Sequence, residues 1–445
     1  MQTVKMNLAN VRGKIKPMNA VNNGPAGSIE RQVTNFYDYK AARIPYARLH
    51  DASFQSGIYG GEYSVDVHRV FPNFDADESD PASYLFEPTD KYLQFIEAAG
   101  TKVYYRLGAS IEHGRKKGTF PPKDYLKWAK ICERIIMHYT QGWADGFHMD
   151  IEYWEIWNEP DCYNPDGSNP CWQGTQDEFV EFFCTAAKYL KEKFPNLKIG
   201  GPAFCNVIDN LFADRLLREL KEREIKIDFF SYHCYENTPE GMKRAIDTAN
   251  MWLKKNGYEN IETILNEWNY IKGWVGEEFT YSMKAIAGLK GASFLAAVMC
   301  MAQSTDLSML MYYDARPCTY NGLFDGFYDR RKGFYAVNMF SDLKDLGTYV
   351  ETEDSDKIYS CAATDGENAA MMICHYENDD TAKGKEIEVL IEGLKTDRQV
   401  CVETYLLDET HDCEKMNTYT FEGTKTKFVL QMENYSTYFV KIIKQ

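Results

Sequence analysis

The chain reads as an α/β protein: a (β/α)8 TIM barrel carrying a smaller carboxy-terminal β-sandwich. Three observations lead there. Between Gly13 and Leu346, eight apolar runs of strand length alternate with amphipathic stretches of helical length, the pattern of parallel βα repeats. After Gly347 the hydrophobic period changes to two, and strand-like runs follow one another with no helix between them, as in a small sandwich. Two of the barrel runs end in the same dipeptide, Asn158-Glu159 and Asn266-Glu267. The carboxyl end of a parallel sheet is where such folds do chemistry.

Taken in order, residues 3–12 alternate and predict a short strand ahead of the barrel. The first barrel strand falls between Gly13 and Asn22, before the turn-forming Asn22-Asn23-Gly24-Pro25-Ala26-Gly27. Helical text over Gln32–Lys40 leads to the second strand, Ile44–His50. The stretch from Asp51 to about Pro88 is acidic, aromatic and aperiodic; a loop that long in a compact domain is usually functional. Asp90 near its start and Gly100 past its end bound a helix over Thr89–Ala99. Thr101–Leu107 is strand three, and Lys123–Tyr139 an amphipathic helix.

Strand four is the apolar, aromatic run from Ile151 to Trp157. It must stop at Pro160, which cannot donate to a ladder and pushes Glu159 out of the α region. A turn-rich loop, Tyr163–Pro170, precedes the helix Gln176–Phe194. Strands five, six and seven are Leu197–Pro202, Ile225–Tyr235 and Ile261–Glu267, separated by helices Leu211–Arg223 and Gly241–Asn256. The small-residue run Ser282–Ser304 is the seventh helix, Leu307–Tyr313 the eighth strand, and Arg331–Leu346 the last helix. The division is therefore residues 1–346 for the barrel and 347–445 for the sandwich. Sandwich strands are expected at Ile358–Ala362, Ala370–Cys374, Glu386–Leu390, Val400–Tyr405, Lys427–Leu430 and Tyr438–Ile442.

Composition narrows the chemistry. With 445 residues, 44% of them hydrophobic, the chain can bury a sizeable core. A net charge of −16 argues against a nucleic-acid partner and against a basic membrane-binding patch. No run reaches transmembrane length, and the first residues hold no apolar signal region; a cytoplasmic location is the expectation. The 12 cysteines lack CxxC pairs or zinc-like spacing and read as reduced, buried thiols. Cys162 and Cys171, which bracket the Pro/Gly loop, are the one pair placed to form a staple. Histidines do not cluster, no glycine-rich phosphate loop is present, and no nucleophile elbow occurs. No metal and no cofactor is expected.

Trp157-Asn158-Glu159-Pro160 resembles the acid/base motif at the end of the fourth strand of clan A glycoside hydrolases, and Asn266-Glu267-Trp268 the nucleophile at the end of the seventh. The flanking text is most similar to glycoside hydrolase family 39, the β-xylosidase and α-L-iduronidase family. It comprises Gly13-Lys14-Ile15 through Val21-Asn22-Asn23-Gly24-Pro25, Arg48-Leu49-His50-Asp51 and Ser231-Tyr232-His233-Cys234-Tyr235. The resemblance covers about residues 13 to 345.

It implies a retaining mechanism, with two carboxyls ~5–5.5 Å apart. Glu159 would be the acid/base and Glu267 the nucleophile. Asn158 would bind the sugar 2-hydroxyl, and His233 and Tyr235 would orient Glu267. His50 and Asp51 would bind ring hydroxyls, and Tyr312, Tyr313 or Trp274 would supply an apolar face. Glu155, inside strand four, reads as a buried ion-pair partner rather than a catalyst. The amino-terminal strand would join the sandwich, as in related enzymes. The reading that fits best is a β-xylosidase-like retaining exo-glycosidase acting on an oligosaccharide or small glycoside, with loops Asp51–Pro88 and Tyr163–Thr175 closing the cleft. The same pocket admits an α-L-arabinoside, β-galactoside, β-glucoside or α-L-iduronide; the last needs a basic side chain, for which Lys272, Arg106 and Arg316 are candidates. A non-catalytic carbohydrate-binding barrel is the alternative of another class, but it would need neither carboxyl. The resemblance also allows a homo-oligomer.

Overall fold

Eight short parallel strands hydrogen-bond in chain order and close on themselves. They are Ala20–Asn22, Tyr46–Arg48, Lys102–Leu107, Tyr153–Ile156, Lys198–Phe204, Phe229–Glu236, Glu262–Tyr270 and Met309–Tyr312. The computed structural model describes residues 2–50, 56–57, 60–61, 65–394 and 399–444. Side chains alternate along each strand. Ala20, Tyr104, Tyr153, Phe229, Ile264, Met309 and Met311 fill the barrel interior. Their neighbours Val103, Trp154, Leu265, Leu310 and Tyr312 face the surrounding helices. The inner plug occupies the barrel below the carboxyl ends of the strands, so polar groups have room only above it.

Helices Glu87–Ala98, Tyr125–Gln141, Gln176–Lys193, Leu211–Glu222, Pro239–Lys255 and Lys332–Leu346 lie between or after the strands as the periodicity predicts, within a few residues. Their ends follow local chemistry. Thr175 caps the helix Gln176–Lys193 through a reciprocal box with Glu178, and Gly142 ends Tyr125–Gln141 in the left-handed region at φ 73°.

Two elements of the barrel differ from expectation. The first barrel strand is short, because Gly13 and Lys14 finish a long amino-terminal strand, Gln2–Lys14, and pair with Tyr349 and Thr348. The alternating pattern simply runs on past a bulge near Val11. The seventh helix is two helices, Gly276–Ala287 and Leu289–Gln303, bent by 75° at Gly288. The second half is apolar all round because it is covered on both sides.

The covering layer is the carboxy-terminal sheet. Among the described residues it has nine strands, with Gln2–Lys14 lying between Thr348–Glu353, antiparallel to it, and Lys385–Glu392, parallel to it. The sheet curls so that Val4, Met6, Val350, Ile391, Val402, Leu430 and Val440 share one core. Tyr419 near one edge stacks on Phe428 near the other, 5.4 Å between ring centres. Its outer face is apolar too. Cys361, Ala363, Ala370, Met372 and Cys374 merge with the barrel's outer core, and Ser293 Oγ donates to the His375 carbonyl at 3.1 Å. Strand Asp412–Phe421 was not foreseen, since it is exposed along most of its length and carries no hydrophobic alternation.

Candidate active site

Strand four ends at Ile156, and the chain then turns sharply. Trp157 has φ 75° and Glu159 φ 48°, so the residue before Pro160 adopts the left-handed conformation rather than an extended one. Such backbone costs on the order of 1–3 kcal/mol for each residue and persists only where neighbours enforce it. Here Trp157 N donates to Leu107 O at 2.7 Å, Glu159 N to Ala203 O at 2.9 Å, and Trp157 Nε1 to Cys171 O at 3.0 Å. The turn aims the Glu159 carboxyl over the barrel mouth.

Strand seven reaches the same place by a bulge. Tyr232 pairs with Leu265 but His233 with Glu267, leaving Asn266 as an extra residue. A bulge re-aims side chains. Leu265 and Trp268 point to the helices, while Asn266 and Glu267 both point inward, to Glu155 and to Tyr235 respectively. Without the extra residue, strict alternation would turn one of the two out of the site.

Beneath the carboxyl pair lies a fully buried ion pair. Arg48 Nε donates to Glu155 Oε2 at 2.7 Å, and neither side chain is exposed. Glu155 Oε1 also accepts from Ser231 Oγ at 2.6 Å and Tyr104 OH at 3.0 Å. The guanidinium spends its remaining donors upward: Nη1 to Asn22 Oδ1 at 3.1 Å and Glu267 Oε2 at 3.4 Å, Nη2 to Asn158 Oδ1 at 2.7 Å. Sequence reasoning read Glu155 as half of an ion pair but gave Arg48 no role. An arginine and a glutamate at inward positions of two predicted strands were the available signal.

Glu267 is held by Tyr235, whose hydroxyl donates to Oε1 at 2.6 Å, and His50 Nε2 lies 3.5 Å from Oε2. His233, expected to orient Glu267, stands closer to the other acid: Nδ1 is 2.8 Å from Glu159 Oε1 and 3.7 Å from Glu267 Oε2. Cys171 Sγ donates to Glu159 Oε2 at 3.6 Å. One oxygen of Glu159, one of Glu267 and a ring nitrogen of His233 all lie within 4.8 Å of one another.

Burial pushes the Glu159 carboxyl up to about 8. It also pushes Glu267 up, to about 7, with repulsion from Glu159 adding to the rise. His233 is pushed down to about 4 by burial and is uncharged near neutrality, so the charge that favours an ionised Glu267 is that of Arg48, helped by the Tyr235 hydroxyl. Glu159 has no cation at comparable distance among the described residues. One proton shared by the pair therefore resides on Glu159.

Asn158 is buried with its Oδ1 on Arg48, while its Nδ2 has no hydrogen-bond partner among the described residues. A buried amide donor above the ion pair is what an incoming hydroxyl would satisfy. Trp274 is half exposed, its ring 5.0 Å from that of Tyr235 at the rim. Tyr313 lies beside His50, 5.8 Å between ring centres. Tyr312 is not at the site. It points outward with the alternation, packs on Trp268, and its hydroxyl accepts from Gly322 N at 3.0 Å. Asp51 lies outside the described residues. Of the basic candidates, Arg316 is near, donating to Tyr313 OH at 2.8 Å; Arg106 is paired with Asp66 at 2.9 Å, and Lys272 rests over the Tyr281 ring.

A closed eight-stranded barrel with two facing carboxyls, one just past strand four and one at the bulge of strand seven, is the framework of a glycoside hydrolase. The chain belongs to the glycosyl hydrolases family 39, whose sequence profile matches residues 74–424. It is 25% identical over 240 residues to a β-xylosidase of Geobacillus stearothermophilus, and 27% identical over 219 residues to one of Caldicellulosiruptor saccharolyticus. These alignments cover 48% and 45% of this chain but only 44% and 41% of those proteins. Among solved structures, a glucosidase from Croceicoccus marinus superposes with a TM-score of 0.82 at 18% identity, over 100% of this chain and 99% of that one. A monomeric β-xylosidase from Caulobacter crescentus gives 0.72 at 13% identity, over 100% and 99%. At such identities the likeness is one of fold.

Proposed function

We propose that this glycoside hydrolase is a retaining, exo-acting enzyme of β-xylosidase type that removes terminal sugars from short oligosaccharides. The observation that carries the reading is the approach of Glu159 and Glu267, with carboxyl oxygens inside 4.8 Å. Inverting enzymes hold their carboxyls ~6.5–9.5 Å apart to admit a water between acid and base. Glu267, ionised beside Arg48, attacks the anomeric carbon. Glu159 hands its proton to the departing oxygen, then takes one from the water that releases the sugar. Asn158 Nδ2 donates to the 2-hydroxyl, an interaction that strengthens as the ring flattens. The preference for xylosides draws on the two curated relatives; β-glucosides belong in any trial because a fold neighbour is described as a glucosidase.

The test is hydrolysis of a panel of nitrophenyl glycosides by wild type and Glu267→Ala side by side. Turnover of the β-xyloside that falls at least ~10⁴-fold in the variant, with unchanged thermal unfolding, supports the assignment. Near-normal turnover by Glu267→Ala would sink it. Preference for another sugar would keep the mechanism and replace the substrate.

A further inference from the structure

Three thiols from two separate loops meet at Glu159. Cys162 follows the acid on its own loop, Cys171 comes from the far end of the Pro/Gly loop, and Cys205 sits just past strand five. A Glu159 carboxyl oxygen and the sulfurs of Cys162 and Cys205 lie within 4.8 Å of one another, and Cys171 Sγ is 3.6 Å from Glu159 Oε2. All are free thiols; Cys171 is buried and the other two are half-buried, so the cluster has a path to solvent.

The scaffold behind them is fixed. Cys205 N donates to Asp161 Oδ1 at 2.8 Å, and Asn210 Nδ2 to Asp161 Oδ2 at 2.7 Å. Cys171 N donates to Asn169 Oδ1 at 2.8 Å, and Asn169 Nδ2 to Pro160 O at 2.9 Å. Asp161 and Asn169 thus tie three chain segments together around the sulfurs. In a zinc site with Zn–S near 2.3 Å and Zn–O near 2.0–2.2 Å, the sulfur–oxygen edge of the tetrahedron is about 3.5 Å. Glu159, Cys162 and Cys205, whose donor atoms lie within 4.8 Å of one another, need only small side-chain movements to reach such edges around one ion.

We propose that Cys162, Cys205 and the Glu159 carboxylate form a binding site for a soft divalent cation of the zinc class, with solvent completing the shell. Calcium and magnesium prefer all-oxygen shells and are excluded by the donor set. Binding releases the thiol protons to solvent. The ion takes Glu159 as a ligand, so an occupied site has no acid to protonate a leaving group, and hydrolysis stops until the ion is removed. That consequence rests on the acid/base reading of Glu159; the binding itself does not.

Cadmium, a spectroscopic stand-in for zinc, separates the two. Added to the reduced protein, it is expected to produce the ultraviolet cadmium–thiolate band, saturating at one ion per chain. Hydrolysis should fall in step with the band, and a chelator should restore it. Cys162→Ser and Cys205→Ser should each lose the band, while Cys413→Ser, in the sandwich, keeps it. Should either fail to fold, Glu159→Gln serves instead, with cadmium affinity at least tenfold weaker. Absence of the band in wild type, or an equal band in a folded Cys162→Ser/Cys205→Ser variant, overturns the site. A saturated band with undiminished hydrolysis overturns the part given to Glu159.

Discussion

Arg48 and Glu155 meet at 2.7 Å in the floor of the site, both wholly shielded from water. Through its other nitrogens the same guanidinium touches Asn22, Asn158 and Glu267. One buried cation thus ties the site's floor together and sets the charge beside Glu267.

Removing one partner of a buried pair leaves the other charge without compensation, at a cost of roughly 3–5 kcal/mol. Glu155→Ala is expected to lose stability of that order in urea unfolding. Activity in the folded fraction should fall as well, because Arg48 is no longer held beneath Glu267. A loss within about 0.5 kcal/mol would mean that the pair contributes no more than a surface contact.

For Glu159, the discriminating variable is the leaving group. Glu159→Ala should slow alkyl glycosides and oligosaccharides strongly, and activated aryl glycosides much less, since those leave without a proton. Azide should rescue the variant by attacking the glycosyl–Glu267 intermediate and yield a β-glycosyl azide from a β-glycoside. Recovery of the α-azide would reverse the stereochemical reading.

The pH profile follows from the same pair. Glu267 must be ionised, so kcat/KM should rise as pH increases through about 7. Glu159 must keep its proton, so kcat/KM should fall as pH rises through about 8. The result is a narrow bell whose two limbs belong to the coupled pair. Glu159→Gln, assayed on an activated aryl glycoside, should keep the acid limb and lose the alkaline one. An unchanged alkaline limb would place the proton elsewhere.

Asn158 is tested by deleting either side of its contact. Asn158→Ala should lower kcat/KM on the parent glycoside by about 10²-fold, of the order of one strong charge-relaying hydrogen bond. A 2-deoxy substrate should suffer a comparable loss with wild type and little further loss with the variant. Independent, additive losses would show that Asn158 serves only to hold Arg48.

Much of this architecture was readable from local chemistry. Pro160 marks the end of strand four, and the switch of period after Gly347 marks the second layer; the second Asn-Glu falls not at a strand end but at a bulge within strand seven, which runs on to Tyr270. The failures have physical causes. Which charged residue faces Glu155 depends on how the barrel closes, and no single strand carries that information. His233 lies on strand six, within reach of both acids, so its nearer partner is set by the left-handed turn at Glu159. Tyr312 sits one residue from Tyr313, and side-chain alternation alone puts one behind the wall and the other beside His50. Cys162 and Cys171 stand out in the sequence as a pair bracketing one loop, but that Cys205 joins them from beyond strand five depends on how neighbouring strands align.

The long strand Gln2–Lys14 has a consequence for how the protein is made. Both of its neighbours, Thr348–Glu353 and Lys385–Glu392, are translated only after the entire barrel. Until those strands are made the segment is without its sheet partners, its apolar Val4 and Met6 bare and its edges open to other chains. A cut at residue 346 would not release a free barrel, because it would strand this segment for good. Strand Gln2–Lys14 and the sheet that receives it fold as one unit, although the whole barrel separates them in sequence.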